Sequence, residues 1–369
     1  METTRRKWLT QAGVLFLGAG LAGLRAKASP VIEPVYFLPE PDDGPIRLSS
    51  NENPYGPSPM ARAAMAESVS ISNRYQWQMV RDLISAIAVK NNVANENVLI
   101  GAGSTQIIDT VIQLAALQKG NFILAEPTFN RWTSAAERCG IQKMLVQVTE
   151  DKRHDLTAMI NAIKPDTRMV YICNPNNPTG TICKYDALVA FVKEATKKTL
   201  VIVDEAYLDY TNETSLSSLL TENVNLIVVK TFSKIYGLAG ARIGYALAHA
   251  KTIERLGQLQ SGVNVGVSAA SLAGAIASLK DTDFVKESYL QNEKTRAYTI
   301  QQLERLNIPC IPSYTNFIYF SLQNYTKDFF DQLKRNNIEG THIYEENGKW
   351  SRITVGTMQE MKRLISAIG

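Results

Sequence analysis

The strongest constraint on the fold is an alternation that runs from about residue 96 to residue 232. VLIGAG (98–103), FILAEP (122–127), KMLVQV (143–148), RMVYICN (168–174), LVIVDEAY (200–207) and LIVVKTF (226–232) are strand patterns, the last two of them short, nearly continuous apolar runs. Helical patterns separate several of them: STQIIDTVIQLAALQ (104–118), a stretch near 130–139 and another near 184–197. A strand wet on one face must alternate apolar and polar residues, whereas a strand covered on both faces need not. Such runs joined by helices therefore predict a mostly parallel sheet with helices on both sides. Beyond about 255 the alternation weakens. Long helical patterns at about 251–280 and 283–305 precede two alternating strands, NFIYFSL (316–322) and WSRITVG (350–356). The expected architecture is α/β, with a large α/β/α sheet domain over 51–254 and a smaller α+β C-terminal domain over 255–369. Residues 29–50, with five prolines, predict an extended N-terminal arm.

Charge narrows the function classes. Residues 1–28 hold five of the 39 basic residues and one of the 35 acidic ones, which leaves 34 of each sign in the remainder. A nucleic-acid binder would carry its basic excess on the folded part. Here the excess sits in a segment that reads as an address. TTRRKWL (3–9) precedes the apolar run GVLFLGAGLAGL (13–24) and then Ala26-Lys27-Ala28. Adjacent arginines, a short apolar region and a small-x-small site are the parts of a twin-arginine export signal. The run is short and Gly-rich for a membrane span of ~20 apolar residues. The expected location is periplasmic or exported, with a cytoplasmic enzyme if the signal is not used. Four scattered cysteines and three distant histidines form no zinc pattern, so no metal is expected. A disulfide remains open, since spacing does not choose one.

Five local patterns fall at predicted strand ends, where open α/β sheets bind ligands. Gly101-Ala-Gly-Ser-Thr105 offers helix N-terminal amides and two hydroxyls to an anion, or is an ordinary strand–helix turn. Cys173-Asn-Pro-Asn-Asn-Pro-Thr-Gly180 is a turn-rich loop that either binds or connects. Val203-Asp-Glu-Ala-Tyr207 ends a very apolar strand, where an unpaired carboxylate would be costly. Thr231-Phe-Ser-Lys234, with Arg242 eight residues on, suits a phosphate beside an amine nucleophile, or is a solvated turn. Arg352, within WSRITVG, either faces water or meets an anion.

Together and in this order, the five patterns resemble the class I/II aminotransferases of fold type I that use pyridoxal 5′-phosphate (PLP), and their histidinol-phosphate aminotransferase branch in particular. The resemblance runs from NENPYG (51–56) to RITVGT (352–357), and NPNNPTG, DEAY and TFSKIYGLAGARIGY carry it most specifically. It implies a large PLP-binding domain, a homodimer, and transfer of an amino group from an amino acid or related amine to a 2-oxo acid through an aldimine on Lys234. Lys234 would then also act as the general base. Asp204 is implied beneath the pyridine nitrogen; Glu205, next along the strand, points to the opposite face. Asn177 and Tyr207 are implied at the phenolic oxygen, and Phe129 in the ring-stacking position or in the core. Ser104, Thr105, Thr231, Ser233 and Arg242 are implied at the phosphate, with Tyr55 reaching it from the neighbouring subunit. Arg352 is implied as the partner of the substrate α-carboxylate, supported by Asn316. Decarboxylation or racemisation on the same scaffold is the alternative chemistry. A non-enzymatic binding protein is disfavoured by the intact Lys234, Asp204 and Arg242.

The sequence also departs from that branch. Gly340–Gly348 holds no arginine, and Glu345 and Glu346 are expected to repel a substrate phosphate. The branch's Arg-Tyr-Pro reads Arg74-Tyr75-Gln76-Trp77 here. With the export signal, these features predict an amino donor other than histidinol phosphate. Trp132, Trp77 and Tyr75 either line an aromatic pocket or belong to the core.

Overall fold

The computed structural model describes residues 44–369. The export signal read at 1–28, and the 29–43 part of the arm, lie outside the described residues. The described chain opens with a short strand, β1 (Ile46–Arg47), followed by α1 (Pro59–Ser68) and α2 (Trp77–Asn91). Ser58 caps α1 by accepting from the Ala61 amide, with Pro59 at the first helical position, where its missing N–H costs nothing. The alternating region then runs β2 (Val98–Gly101), α3 (Gly103–Ala115), β3 (Gly120–Glu126), α4 (Thr133–Arg138), β4 (Ile141–Gln147) and α5 (Leu156–Ala162). It continues through β5 (Thr167–Cys173), α6 (Tyr185–Ala195), β6 (Leu200–Asp204), β7 (Leu226–Thr231) and β8 (Gly244–Ala248).

These strands form one seven-stranded sheet in the order β2-β8-β7-β6-β5-β3-β4. All are parallel except β8, which runs antiparallel between β2 and β7. β8 has no apolar signal separate from the TFSKIYGLAGARIGY stretch, inside which it begins two residues after Arg242. Both faces of the sheet are covered. Val170, Ile172, Val201, Val203 and Val228 pack in one core, and Leu124, Met169, Tyr171, Ile202 and Val229 in the other. A charge in mid-strand would be desolvated on either face. Lys230 is such a charge, and Glu205 meets it at 2.9 Å. Asp204 and Glu126, by contrast, come at the last residue of their strands.

The expected helix over 251–280 is two: α7 (Ala250–Gly257) and α8 (Ala269–Lys280). The intervening Gly-containing loop seals the edge of the sheet instead, with Asn264 Oδ1 accepting from the Ile100 amide at 2.8 Å. After α9 (Thr282–Arg305) come β9 (Cys310–Ile311), β10 (Phe317–Ser321), α10 (Phe329–Arg335), β11 (Ile338–Glu339), β12 (Ile343–Glu345), β13 (Trp350–Thr354) and α11 (Met358–Ile368). β12, β13, β10 and β9 form an antiparallel sheet, and β1 pairs in parallel with β11. A third core forms here from Ile318, Phe320, Leu333, Ile353 and Leu364. Helix α9 serves two cores, with Val285 against the large sheet and Leu303 in the third core. In residues 44–50 the chain is not a free arm: Ile46–Arg47 is strand β1, and Ile46 and Leu48 are buried in that third core.

Candidate active site

The C-terminal ends of β3, β5, β6 and β7 open into a cavity of ≈ 470 Å³. Its wall brings together Ser104, Thr105, Phe129, Asn177, Asp204, Tyr207, Thr231, Ser233, Lys234, Arg242 and Arg352. Two expected residues, Tyr55 and Asn316, are not in that wall. Cys173 also lines it; all four cysteines are free.

At one end the groups suit an anion. Thr231 Oγ1 donates to Ser233 Oγ at 3.0 Å, and Arg242 Nη1 donates to the same oxygen at 3.4 Å and to the Ala239 carbonyl at 3.0 Å. The guanidinium lies against the start of α3, and a Cβ at Gly103 (φ +79°) would stand 2.4 Å from Arg242 Nη2. A Cβ at Gly244 would stand 2.5 Å from the Ser104 amide nitrogen. Only glycine lets the backbone close this tightly around a guanidinium, two hydroxyls and free helix N-terminal amides.

At the sheet's centre Asp204 is buried. Its Oδ2 accepts from Tyr171 Oη at 2.8 Å and its Oδ1 from the Ala206 amide at 3.0 Å. Burial raises its pKa to about 6 against these hydrogen bonds. Glu205 faces away, held by Lys230, Ser215 and the Leu216 amide. The Lys234 ammonium donates to the carbonyls of Ser50 and Asn51 at 3.1 and 3.2 Å. Enclosure, then the nearby Arg352 charge, lower its pKa to about 8. Tyr207 Oη accepts from Asn51 Nδ2 at 3.0 Å and Asn177 Nδ2 at 3.4 Å.

Arg352 lines the same cavity, 7% exposed. Its Nη1 donates to Asn177 Oδ1 and its Nη2 to the Ser49 carbonyl, both at 2.6 Å. Its buried Nε has no partner among the described residues. Asn316 makes no direct hydrogen bond to it. Asn316 Nδ2 donates instead to the carbonyls of Asn51 and Glu52, at 3.0 and 3.2 Å, and so fixes the segment on which Arg352 and Lys234 lean.

The family model for aminotransferase class I and II matches residues 43–368. The chain belongs to this family. It is a PLP-dependent transaminase of fold type I. The histidinol-phosphate aminotransferase of Moorella thermoacetica is 37% identical over 328 residues, spanning 88% of this chain and 84% of the relative. The aromatic amino acid aminotransferase of Mycobacterium avium is 32% identical over 339 residues, spanning 90% and 93%. The crystal structure of the Sinorhizobium meliloti histidinol-phosphate aminotransferase in complex with PLP matches with a TM-score of 0.81 at 27% identity, over 88% of this chain and 89% of that one.

The residues of this aminotransferase fit PLP. An anion cradle that a Cβ would fill, an amine of lowered pKa and a buried carboxylate line one cavity, as the cofactor's phosphate, aldehyde and pyridine nitrogen require. Several readings of the substrate side need correction. Glu345 does not present a bare charge: Lys152 Nζ lies 2.8 Å from its Oε2, and Tyr319 Oη donates to its Oε1 at 2.7 Å. Glu346 is exposed and outside the cavity wall, which His342, Ile343 and Tyr344 form instead. Trp132 is core, tilted against Phe122 and Tyr171. Tyr75 and Trp77 stack on each other, largely exposed, away from the cavity. The sequence reading missed Arg131, an exposed guanidinium in the wall with no hydrogen bond or ion pair among the described residues. The signal was available, since Arg131 lies two residues after Phe129 in a loop that follows a strand end.

Proposed function

We propose that this enzyme moves an amino group from an α-amino acid to a 2-oxo acid, with Arg352 receiving the α-carboxylate. The observation that carries this reading is the buried Arg352, lining the same cavity as Lys234, with an Nε–H that has no acceptor among the described residues. A guanidinium so placed gains a charge-assisted, bidentate partner when a carboxylate arrives. Bound PLP supplies the electron-poor ring that stabilises negative charge at the substrate Cα. Arg242, Ser104, Thr105, Thr231 and Ser233 hold its phosphate, Phe129 covers the ring, and Asn177 and Tyr207 meet the phenolic oxygen. Asp204 pairs with the ring nitrogen. Lys234 would carry the cofactor and, once the substrate's amine has displaced it, its freed amine would take the proton from Cα. Its lowered pKa leaves a usable share of neutral amine near neutral pH.

Steady-state kinetics on an amino acid, its decarboxylated amine and histidinol phosphate test the assignment. The amino acid should be much the best of the three, with transfer to a 2-oxo acid and no release of carbon dioxide. A phosphorylated amine is the second reading, and the unpaired Arg131 is the observation that favours it. A large preference for histidinol phosphate would make that reading the right one.

Three broader proposals accompany this reading. The enzyme acts as a homodimer in which the partner subunit's Tyr55 completes the phosphate site. In support, Tyr55 does not line its own chain's cavity, and Val69, Ile71, Tyr75 and Trp77 expose large apolar surfaces. Light scattering on the purified enzyme tests it, and a monomer with full activity would refute it. The chain divides into a large PLP-binding domain and a small C-terminal one. The membership of α9 in two cores supports a divide within that helix, later than 254. Finally, residues 1–28 direct export by the twin-arginine route. Arg5→Lys with Arg6→Lys should hold the enzyme in the cytoplasm.

A further inference from the structure

Tyr171 has no solvent-accessible surface, and its hydroxyl donates to Asp204 Oδ2 at 2.8 Å. The sheet register explains how the two meet. Cys173 of β5 pairs with Asp204 of β6, so Tyr171, two residues earlier on β5, shares their face. The carboxylate lies about 6.6 Å further along the strands, at about 3.3 Å per residue. A tyrosine spans that step and few other side chains would. The ring is also held from behind. Trp132 lies 4.9 Å from it and 5.2 Å from Phe122, and Trp132 Nε1 donates to the Phe129 carbonyl at 3.0 Å. One cluster of tilted aromatic rings thus holds both the phenol behind Asp204 and, through Trp132 Nε1, the backbone of the ring-covering Phe129.

Nothing else assigned to the site needs a hydroxyl at this depth; a phenylalanine would fill the same space. A phenol aimed at a carboxylate stabilises its ionised form, and Asp204 needs that support because burial works against its charge. Among the described residues the second oxygen accepts from the Ala206 amide alone. With both oxygens engaged from behind and from the side, the carboxylate is held in one rotamer, and each oxygen keeps a lone pair for a further donor.

We propose that Tyr171 is a positioning residue: through its hydrogen bond it keeps Asp204 ionised and aimed at the pyridine nitrogen, and so sets the strength of that contact. The proposal rests on the assignment of Asp204 to the ring nitrogen. It is tested on enzyme stripped of cofactor, with two probes: PLP, and the analogue in which carbon replaces the ring nitrogen. Tyr171→Phe keeps the packing under Trp132 and removes only the hydroxyl. It should weaken PLP binding roughly tenfold, as loss of a hydrogen bond to a charged group does, and weaken analogue binding less than about twofold. Asp204→Asn should show the same contrast more strongly, and adding Tyr171→Phe to it should cost little more. If Tyr171→Phe weakens both probes equally, or neither, while Asp204→Asn keeps its contrast, the role of Tyr171 is overturned and the Asp204 assignment stands. If Asp204→Asn itself shows no contrast between the probes, the Asp204 assignment fails and the Tyr171 proposal falls with it.

Discussion

The end of the cavity assigned to the cofactor phosphate draws Ser104, Thr105, Thr231, Ser233 and Arg242 from two short stretches, each at a strand end of one sheet. The end assigned to the substrate draws Ser49, Arg131, and Tyr344 with Arg352 from three stretches far apart in the chain. Local geometry builds the first end: the turn that follows a strand sets the hydroxyls, and a glycine sets the approach. Long-range packing builds the second, where Arg352 is aimed by Asn177 and by the Ser49 carbonyl. A motif therefore identifies the cofactor end almost completely and the substrate end only in part. The largest expected effect breaks the whole site rather than one end. Lys234→Ala should abolish turnover and the visible absorption of the bound cofactor, with the fold unchanged by circular dichroism. Retained activity would remove the nucleophile from the account.

Arg352→Ala tests the substrate end next. A charge-assisted pair is worth about 1.5–3 kcal/mol, and stranding a desolvated carboxylate costs more. The expected fall in kcat/KM for amino acids is a hundredfold or more, with far less for simple amines. Arg352→Lys should rescue only in part, since an ammonium cannot make the bidentate fork. Equal losses on amino acid and amine would mean that Arg352 shapes the wall without binding the carboxylate.

Between the two ends, pH separates the lysine from its surroundings. Only a neutral amine attacks the cofactor aldehyde, and enclosure holds the Lys234 pKa at about 8. Loading of stripped enzyme with PLP should speed up as pH rises from 6 to 8, by roughly fiftyfold from the neutral fraction alone, and level off above that. Below about pH 6 protonation of Asp204 should weaken binding as well. Stopped-flow absorbance reads both. A plateau reached only near pH 10 would mean that Lys234 behaves as an exposed lysine.

The cofactor end offers a sharper, smaller test. Gly103→Ala puts a Cβ against Arg242 Nη2, and on a backbone with φ +79° that side chains resist. PLP affinity should drop about tenfold, while kcat at saturating cofactor should change little. The limits of sequence reading have the same physical origin. The inner parallel strands β5, β6 and β7 were legible because burial on both faces leaves a nearly unbroken apolar run, whereas the edge strand β4 is largely exposed, and the cofactor residues were legible because they sit at strand ends. β8 was missed because its antiparallel insertion leaves no separate signal in TFSKIYGLAGARIGY. Which backbone the Asn316 amide meets was not legible, since that is decided by a segment more than 260 positions away.

The smallest expected effect concerns Glu345, where reading by charge alone and reading by structure part company. By charge, Glu345 should repel a substrate phosphate, and Glu345→Gln should favour histidinol phosphate. In the structure the carboxylate lies between Lys152 and Tyr319, and Lys152 also lies 5.1 Å over the Trp350 ring. The pair is nearly neutral when seen from the cavity, and solvent screens what remains. Glu345→Gln should therefore change kcat/KM for histidinol phosphate by less than about threefold, a limit of roughly 0.7 kcal/mol. Its main effect should be on stability. The pair is only partly buried, so its loss should cost about 1 kcal/mol at most and lower Tm by about 2 °C. Lys152→Met should lower Tm by a similar amount, and the double variant should lose little beyond either single one. A tenfold gain on histidinol phosphate in Glu345→Gln would restore the acidic stretch as a determinant of specificity and make the two ends of the cavity equally legible from sequence.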